Sequence, residues 1–291
     1  MSNLAGINLA MQTPFQADGG IDLKRWRELI DLYIDAGMHG LVLGSGTGQH
    51  PYLTAEECRQ LYVTGMAHID GRCNVICQTS ALNMDDLSKR CKEAEDLGAQ
   101  ALMILPPYIE GPTDDDGILA FYEAIDGQIN TDIVGYNIPQ ATGLSVSPQL
   151  LSRLAELPNF NYIKDSSGDM NVHQDYLQVP DIKVLNGADP IAIFSFMAGS
   201  FGAIWGCANY MPAECVKIWQ LVNGGDHAAA LALWQKMIPS IIWLWSNDYI
   251  AAIKSAGRMR GFAGGGVRAP LRPISQADEQ ALAVALNHLD N

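Results

Sequence analysis

Positive charge is scarce in this 291-residue sequence: 18 lysines and arginines stand against 32 aspartates and glutamates, giving a formal net charge of −14. The basic residues are scattered rather than gathered in runs, so nothing here neutralises a phosphate backbone, and nucleic acid is excluded as the expected partner. Long hydrophobic runs are also missing. The longest strongly apolar stretch, Met237 to Trp245, is broken by Pro239 and falls far short of the ~20 residues that span a bilayer, so no membrane partner is expected. The start, MSNLAGINLA, lacks the basic segment and small-residue cleavage site of a secretory signal, which points to a cytoplasmic protein.

Cysteine is thinly spread. Cys58, Cys73, Cys77, Cys91, Cys207 and Cys215 form no C-x-x-C pair and are expected to be small buried hydrophobes rather than ligands or bridges. The six histidines, at 39, 50, 68, 173, 227 and 288, are isolated from one another and from carboxylates at ligand spacing, so no metal site is expected. A G-x-G-x-x-G dinucleotide fingerprint is absent too: Gly44-Ser45-Gly46-Thr47-Gly48 has the wrong spacing and follows the second candidate strand, not the first.

What is present is an ordinary globular balance, 48% hydrophobic and 17% charged, in a chain whose length suits one α/β barrel of roughly 250 residues. Short apolar or β-branched runs alternate with helical periodicity, the signature of βαβ units. The predicted strands are Ile7–Thr13, Gly40–Leu43, Asn74–Gln78, Ala101–Leu105, Ile133–Tyr136, Tyr162–Lys164, Val184–Leu185 and Gly202–Gly206. Helix starts are readable between them. Thr54-Ala55-Glu56-Glu57 has capping-box form, Ser147-Pro148 and Asp189-Pro190 place a capping residue before a first-turn proline, and Asp114 to Asp116 load a helix start with negative charge. Residues 1–224 are thus expected to form a (β/α)₈ barrel. Residues 225–291 are expected to form a helical extension packed on it, its last helix reached through the Gly- and Pro-rich loop Gly261–Pro273. A doubly wound sheet shares this alternation, but polar or glycine-rich sequence follows strand after strand, as it does where all strand ends surround one site.

Three of those strand ends carry chemistry. Lys164 closes the run Asn161-Tyr162-Ile163-Lys164, and a lysine projecting into an apolar barrel mouth is desolvated, which favours a neutral, nucleophilic amine. Tyr136, at the end of the preceding strand in Tyr136-Asn137-Ile138-Pro139, brings a phenol that can shuttle protons beside it. The turn Ser45-Gly46-Thr47-Gly48 offers a hydroxyl and closely spaced amides, a nest for a carboxylate. Taken singly, each has a bland reading as a surface lysine, a packed aromatic or a simple connection.

Together, in this order and spacing, the three motifs resemble the dihydrodipicolinate synthase and N-acetylneuraminate lyase family of pyruvate-type class I aldolases. The resemblance extends to Thr13-Pro14-Phe15, Pro106-Pro107-Tyr108, Ile163 to Gly168, Asn186-Gly187-Ala188-Asp189 and Gly266 to Leu271. It implies a Schiff-base lysine at Lys164 and a proton-transferring tyrosine at Tyr136. It also implies a substrate site made by Gly46, Thr47, Gly48, Ser166, Gly187 and Ile204, with Gly187 and Ile204 on the pyruvate methyl side. A homotetramer needing no metal or organic cofactor follows from the same resemblance.

The departures are as informative. The family glutamate after the turn is Gln49, and the first hydroxyl of the turn and the tyrosine lent across the dimer are Gly46 and Ile109, so two members of the synthase proton relay are gone. The arginine that holds the aldehyde's carboxylate in such synthases aligns with Ala141. Sialic acid cleavage fits poorly as well: the sugar-gripping stretch reads Gly187-Ala188-Asp189-Pro190, and bulky Trp205 is expected near the pocket wall. Asp189 either binds a substrate hydroxyl or caps a helix before Pro190. The expected activity is therefore that of a lyase, an aldolase or dehydratase acting on pyruvate or a longer 2-oxo acid through an imine at Lys164. The alternatives are 4-hydroxy-tetrahydrodipicolinate synthesis and a non-catalytic 2-oxo-acid sensor.

Overall fold

A computed structural model describes residues 2–112 and 114–290. Its centre is a closed barrel of eight parallel strands in sequence order: β1 (Gly6–Ala10), β2 (Gly40–Leu43), β3 (Asn74–Gln78), β4 (Ala101–Ile104), β5 (Asp132–Asn137), β6 (Phe160–Asp165), β7 (Lys183–Asn186) and β8 (Gly202–Trp205), which closes on β1. The helices between strands are α1 (Leu23–Asp35), α2 (Ala55–Ile69), α3 (Met84–Asp96), α4 (Asp115–Asp126), α5 (Pro139–Thr142), α6 (Pro148–Leu154), α7 (Met170–Tyr176) and α8 (Ala192–Met197). After β8 come α9 (Pro212–Asn223), α10 (His227–Trp245), α11 (Tyr249–Met259) and α12 (Gln276–Leu286). Among the described residues no helix is long and apolar enough to cross a membrane.

Alternation along each strand divides the core in two. Val42, Ile76, Met103, Val134, Tyr162, Leu185 and Ile204 fill the barrel, whereas Leu41, Leu43, Ile133, Ile163 and Trp205 face the helices. Trp234, Met237, Ile241 and Leu244 of α10 belong to that second, outer layer, so the C-terminal helices share a core with the barrel. Five cysteines are buried, Cys73 is half-buried, and all six are free.

Most helix starts form as the local chemistry dictates. Thr54 and Glu57 make a reciprocal capping box, Ser147 accepts from the Leu150 amide, and Asp114 accepts from the Gly117 amide. Asp189 departs from this pattern: it is the first residue of a 3₁₀ turn, Asp189–Ile191, and its side chain does not cap that turn. The first strand is shorter than Ile7–Thr13 because the chain past Ala10 is drawn into other bonds. The Gln12 amide donates to Asn209 Oδ1 (2.9 Å), and the Thr13 carbonyl accepts from Lys254 Nζ (2.5 Å).

One irregularity positions the chemistry. Ile133 pairs with Phe160 but Val134 pairs with Tyr162, so Asn161 is an extra residue and the register slips by one. From there Tyr136 pairs with Lys164 and Asn137 with Asp165. Without this bulge Tyr136 would lie beside the outward Ile163 and the two reactive side chains would face opposite sides of the sheet.

Candidate active site

Lys164 and Tyr136 emerge side by side from adjacent parallel strands at the C-terminal mouth of the barrel, where βα-barrel sites form. The lysine is 5% exposed, and its Nζ lies 4.0 Å from the centre of the Tyr136 ring. Among the described residues no carboxylate comes within ion-pair distance of it. Gly187, after β7, leaves the room the lysine needs: a Cβ there would stand 2.7 Å from Lys164 Cε and 2.2 Å from Ser166 Oγ. Ser166 is fixed by donating to the Gly187 carbonyl at 2.9 Å.

The strand end beneath is braced from outside. Asp165 Oδ2 is 3.0 Å from His173 Nδ1, whose Nε2 is 2.8 Å from both Ser195 Oγ and Ser200 Oγ, while Oδ1 accepts from Asn137 Nδ2 at 2.9 Å. Burial tends to raise the Asp165 carboxyl, but the hydrogen bonds from His173, the Ser167 amide and Asn137 outweigh it and hold the group below the usual carboxylate range. All four side chains of the Asp-His-Ser-Ser chain are buried and outside the cavity, so the chain fixes β6 against α7 and α8.

A cavity of about 300 Å³ opens over the lysine. Thr47, Tyr136, Lys164, Ser166, Gly187 and Ile204 line it, and Gly46 and Gly48 do not. Gly48 is fully engaged in packing. A Cβ on it would lie 2.7 Å from both the Met11 carbonyl and Thr13 Oγ1, and its amide donates to Ser45 Oγ at 3.1 Å. Among the described residues the Gly46 and Thr47 amides find no acceptor, and neither does that of the buried Ser45, whereas the Gly48 amide is engaged.

The family departures have physical settings. Gln49 exchanges two bonds with the Arg268 backbone, donating to its carbonyl and accepting from its amide, each at 2.9 Å; a carboxylate could only accept. Ile109 is 63% exposed and Ala141 sits exposed on α5, neither at the cavity, which leaves Lys164 as the one cation lining it among the described residues.

Trp205 does not form the pocket wall. It follows the inward Ile204 and therefore points outward, packing on Phe196 with ring centres 5.2 Å apart and donating to Asn186 Oδ1 at 2.9 Å. The aromatic wall comes instead from the C-terminal helices, as Trp245 and Tyr249, with Ile138, Gln140 and Gly206 completing the lining. Only the docking of α10 and α11 on the barrel brings Trp245 and Tyr249 in, and no local motif marks these two. Tyr249 Oη donates to Asp189 Oδ2 at 2.6 Å, and the Cys207 amide donates to the same oxygen at 3.1 Å. Asp189 is 2% exposed, its Oδ1 has no partner, and burial pushes its carboxyl up despite those bonds and the Lys164 charge.

Comparison with known proteins agrees with this architecture throughout. The description "Dihydrodipicolinate synthetase family" matches residues 3–289. The chain is 29% identical to the 4-hydroxy-tetrahydrodipicolinate synthase of Bacillus velezensis, covering 99% of this chain and 100% of that protein. It is 32% identical to the enzyme of that name from Stenotrophomonas maltophilia, covering 96% and 94% respectively. Among solved structures, a dihydrodipicolinate synthase of Bacillus anthracis superposes with TM-score 0.94 at 27% identity over 99% of both chains. The chloride-inhibited dihydrodipicolinate synthase of Acinetobacter baumannii, complexed with pyruvate, superposes with TM-score 0.93 at 29% identity over 99% of both chains. Matched end to end in sequence and in fold, the chain belongs to the dihydrodipicolinate synthetase family and is a lyase of the class I aldolase type.

Proposed function

We propose that this lyase forms an imine between Lys164 and the C2 carbonyl of pyruvate or a longer 2-oxo acid, and makes or breaks a bond at C3. The observation that carries the reading is the direct strand pairing of Tyr136 with Lys164 at the cavity floor, with the amine over the phenol ring. The lysine attacks the carbonyl, Tyr136 passes the proton needed to expel water from the carbinolamine, and the protonated imine then withdraws electrons from C3. The free amide and the hydroxyl of Thr47, which lines the cavity, bind the substrate carboxylate. No metal or organic cofactor takes part. Pyruvate followed by borohydride should add a reduced pyruvyl group to Lys164; a wild-type protein left unmodified at Lys164 would sink the reading. Homotetrameric assembly belongs to the same proposal, and a clean monomer by light scattering would remove it.

The relatives' activity, 4-hydroxy-tetrahydrodipicolinate synthesis, is the second reading, favoured by their names. Against it stands the cavity lining, in which, among the described residues, no arginine answers a second carboxylate, and Ala141 lies exposed elsewhere. A lost charge-assisted contact is worth about 1.5–3 kcal/mol. Condensation of pyruvate with aspartate semialdehyde should therefore be far slower than turnover of an uncharged partner, and a specificity constant equal to that of an authentic synthase would reverse the ranking.

A further inference from the structure

Proton transfer at the nitrogen end of the site is served by Tyr136, which flanks Lys164 from β5. The carbon–carbon bond has a second proton requirement at its other end, where a hydroxyl at C4 must lose its proton as it becomes a carbonyl. The family relay that could extend to that end is missing here, at Gly46 and Ile109.

The opposite flank of the cavity holds a different pair. Tyr249 lines the cavity over the end of β8, two strands from Lys164 on the side away from Tyr136. Its hydroxyl donates to Asp189 Oδ2 at 2.6 Å, and Asp189 itself is buried behind it, away from the lining. Two observations mark this as more than packing. Gly206 has no room for a side chain, since a Cβ on it would lie 2.2 Å from Tyr249 Oη, so the phenol is seated where the end of β8 leaves a gap. Asp189 Oδ1 is buried with no partner, an arrangement that costs stability and that packing alone does not explain.

We propose that Tyr249 and Asp189 form a proton-transfer pair for the C4 hydroxyl of the substrate. The assignment rests on the imine reading and narrows its substrate class to 4-hydroxy-2-oxo acids whose tail beyond C4 carries no charge. On cleavage the C3–C4 bond breaks and its electron pair moves into the enamine, reducing the iminium nitrogen to neutrality. The C4 hydroxyl proton passes to Tyr249 Oη as the Tyr249 proton passes to Asp189 Oδ2, and the free aldehyde leaves. Condensation runs the same transfers backward. Burial, which favours the neutral form of Asp189, suits a carboxyl that must hold this proton between steps. Trp245, in edge contact with Tyr249 at 6.0 Å between ring centres, and Ile138 give the tail an uncharged wall.

The test compares wild type with Tyr249→Phe and Asp189→Asn in three measurements: borohydride trapping of pyruvate on Lys164, solvent deuterium exchange into the pyruvate methyl, and condensation of pyruvate with acetaldehyde, glycolaldehyde and benzaldehyde. Tyr249→Phe keeps the ring against Trp245, so it guards against misfolding of the Asp189 variant. Trapping and exchange should stay within a few-fold of wild type in both variants, while condensation falls about 10²–10⁴-fold, the range for a removed positioned acid or base. A merely structural pair would lower all three together, and that result, or condensation by Tyr249→Phe within about threefold of wild type, overturns the assignment. A wild type that traps and exchanges pyruvate yet condenses no aldehyde overturns it alone. One that does not trap pyruvate removes the imine reading, and the assignment falls with it.

Discussion

Replacing Gly187 by alanine tests whether the lysine's placement is set by an absent side chain. The glycine has no positive φ, so alanine brings no backbone strain, and the whole effect is steric. The new Cβ would meet Lys164 Cε at 2.7 Å, about 0.7 Å short of the 3.4 Å where ordinary contact begins, and would meet Lys164 Cγ at 2.9 Å. Ser166 Oγ, at 2.2 Å, must rotate out of its bond to the Gly187 carbonyl. An off-rotamer side chain costs about 0.5–1.5 kcal/mol and local overpacking about 1–3 kcal/mol, which a barrel of this size survives. Catalysis is less tolerant, because misplacing a reacting atom by about 1 Å can cost 10²-fold. Gly187→Ala should therefore melt within several degrees of wild type but trap pyruvate on Lys164 about 10²-fold more slowly, as read by intact-mass kinetics with borohydride. Trapping at the wild-type rate by a protein whose melting shows it folded would refute the claim that this glycine makes the site.

Two further expectations concern stability. Lys254 is buried, bonded to the Thr13 and Gly264 carbonyls, and pushed down to about 7 by desolvation. Its folded value lies below its unfolded one, so from about pH 7 to pH 10 the unfolded chain binds a proton that the folded chain does not, and stability rises with pH. The melting temperature of wild type relative to Lys254→Met should climb between pH 6 and 8.5, and parallel profiles would contradict this. Arg268 donates to both Glu57 oxygens (2.9 and 2.7 Å) and to the Gly19 and Tyr52 carbonyls. Arg268→Lys loses that fork and should cost about 1.5–3 kcal/mol in denaturant unfolding; no measurable loss would show the cluster to be ornamental. The Arg268 bond also holds the Glu57 carboxyl low, so the deficit of the variant should shrink as acid protonates Glu57.

Why some of this was legible and the rest was not comes down to the range of the forces involved. Alternation, capping residues and strand-end lysines are local, and they located all eight strands and the βα order, as well as Lys164 and Tyr136 at neighbouring strand ends. Even so, the one-residue bulge at Asn161 that turns those two side chains to the same face leaves no local mark, since it is the cross-strand pairing that selects it. The reading of Trp205 missed for a related reason: next to an inward residue on a strand, a side chain belongs to the other layer, however much its bulk suits a pocket.

Local rules lost outright where a distant segment supplied a stronger partner. Asp before Pro favours a cap, but at Asp189 the Tyr249 hydroxyl, 60 residues away, and the Cys207 amide take the carboxyl instead. Sequence by itself determined the barrel, its lysine and its tyrosine, because each rests on periodicity or on neighbours along a strand. Tertiary structure alone decided what surrounds them, namely the room left at Gly187 and Gly206, the amides left free at Gly46 and Thr47, and the Trp245 and Tyr249 wall. Those features depend on how separate segments dock, and docking is governed by the summed fit of buried surfaces, which no short stretch of sequence contains.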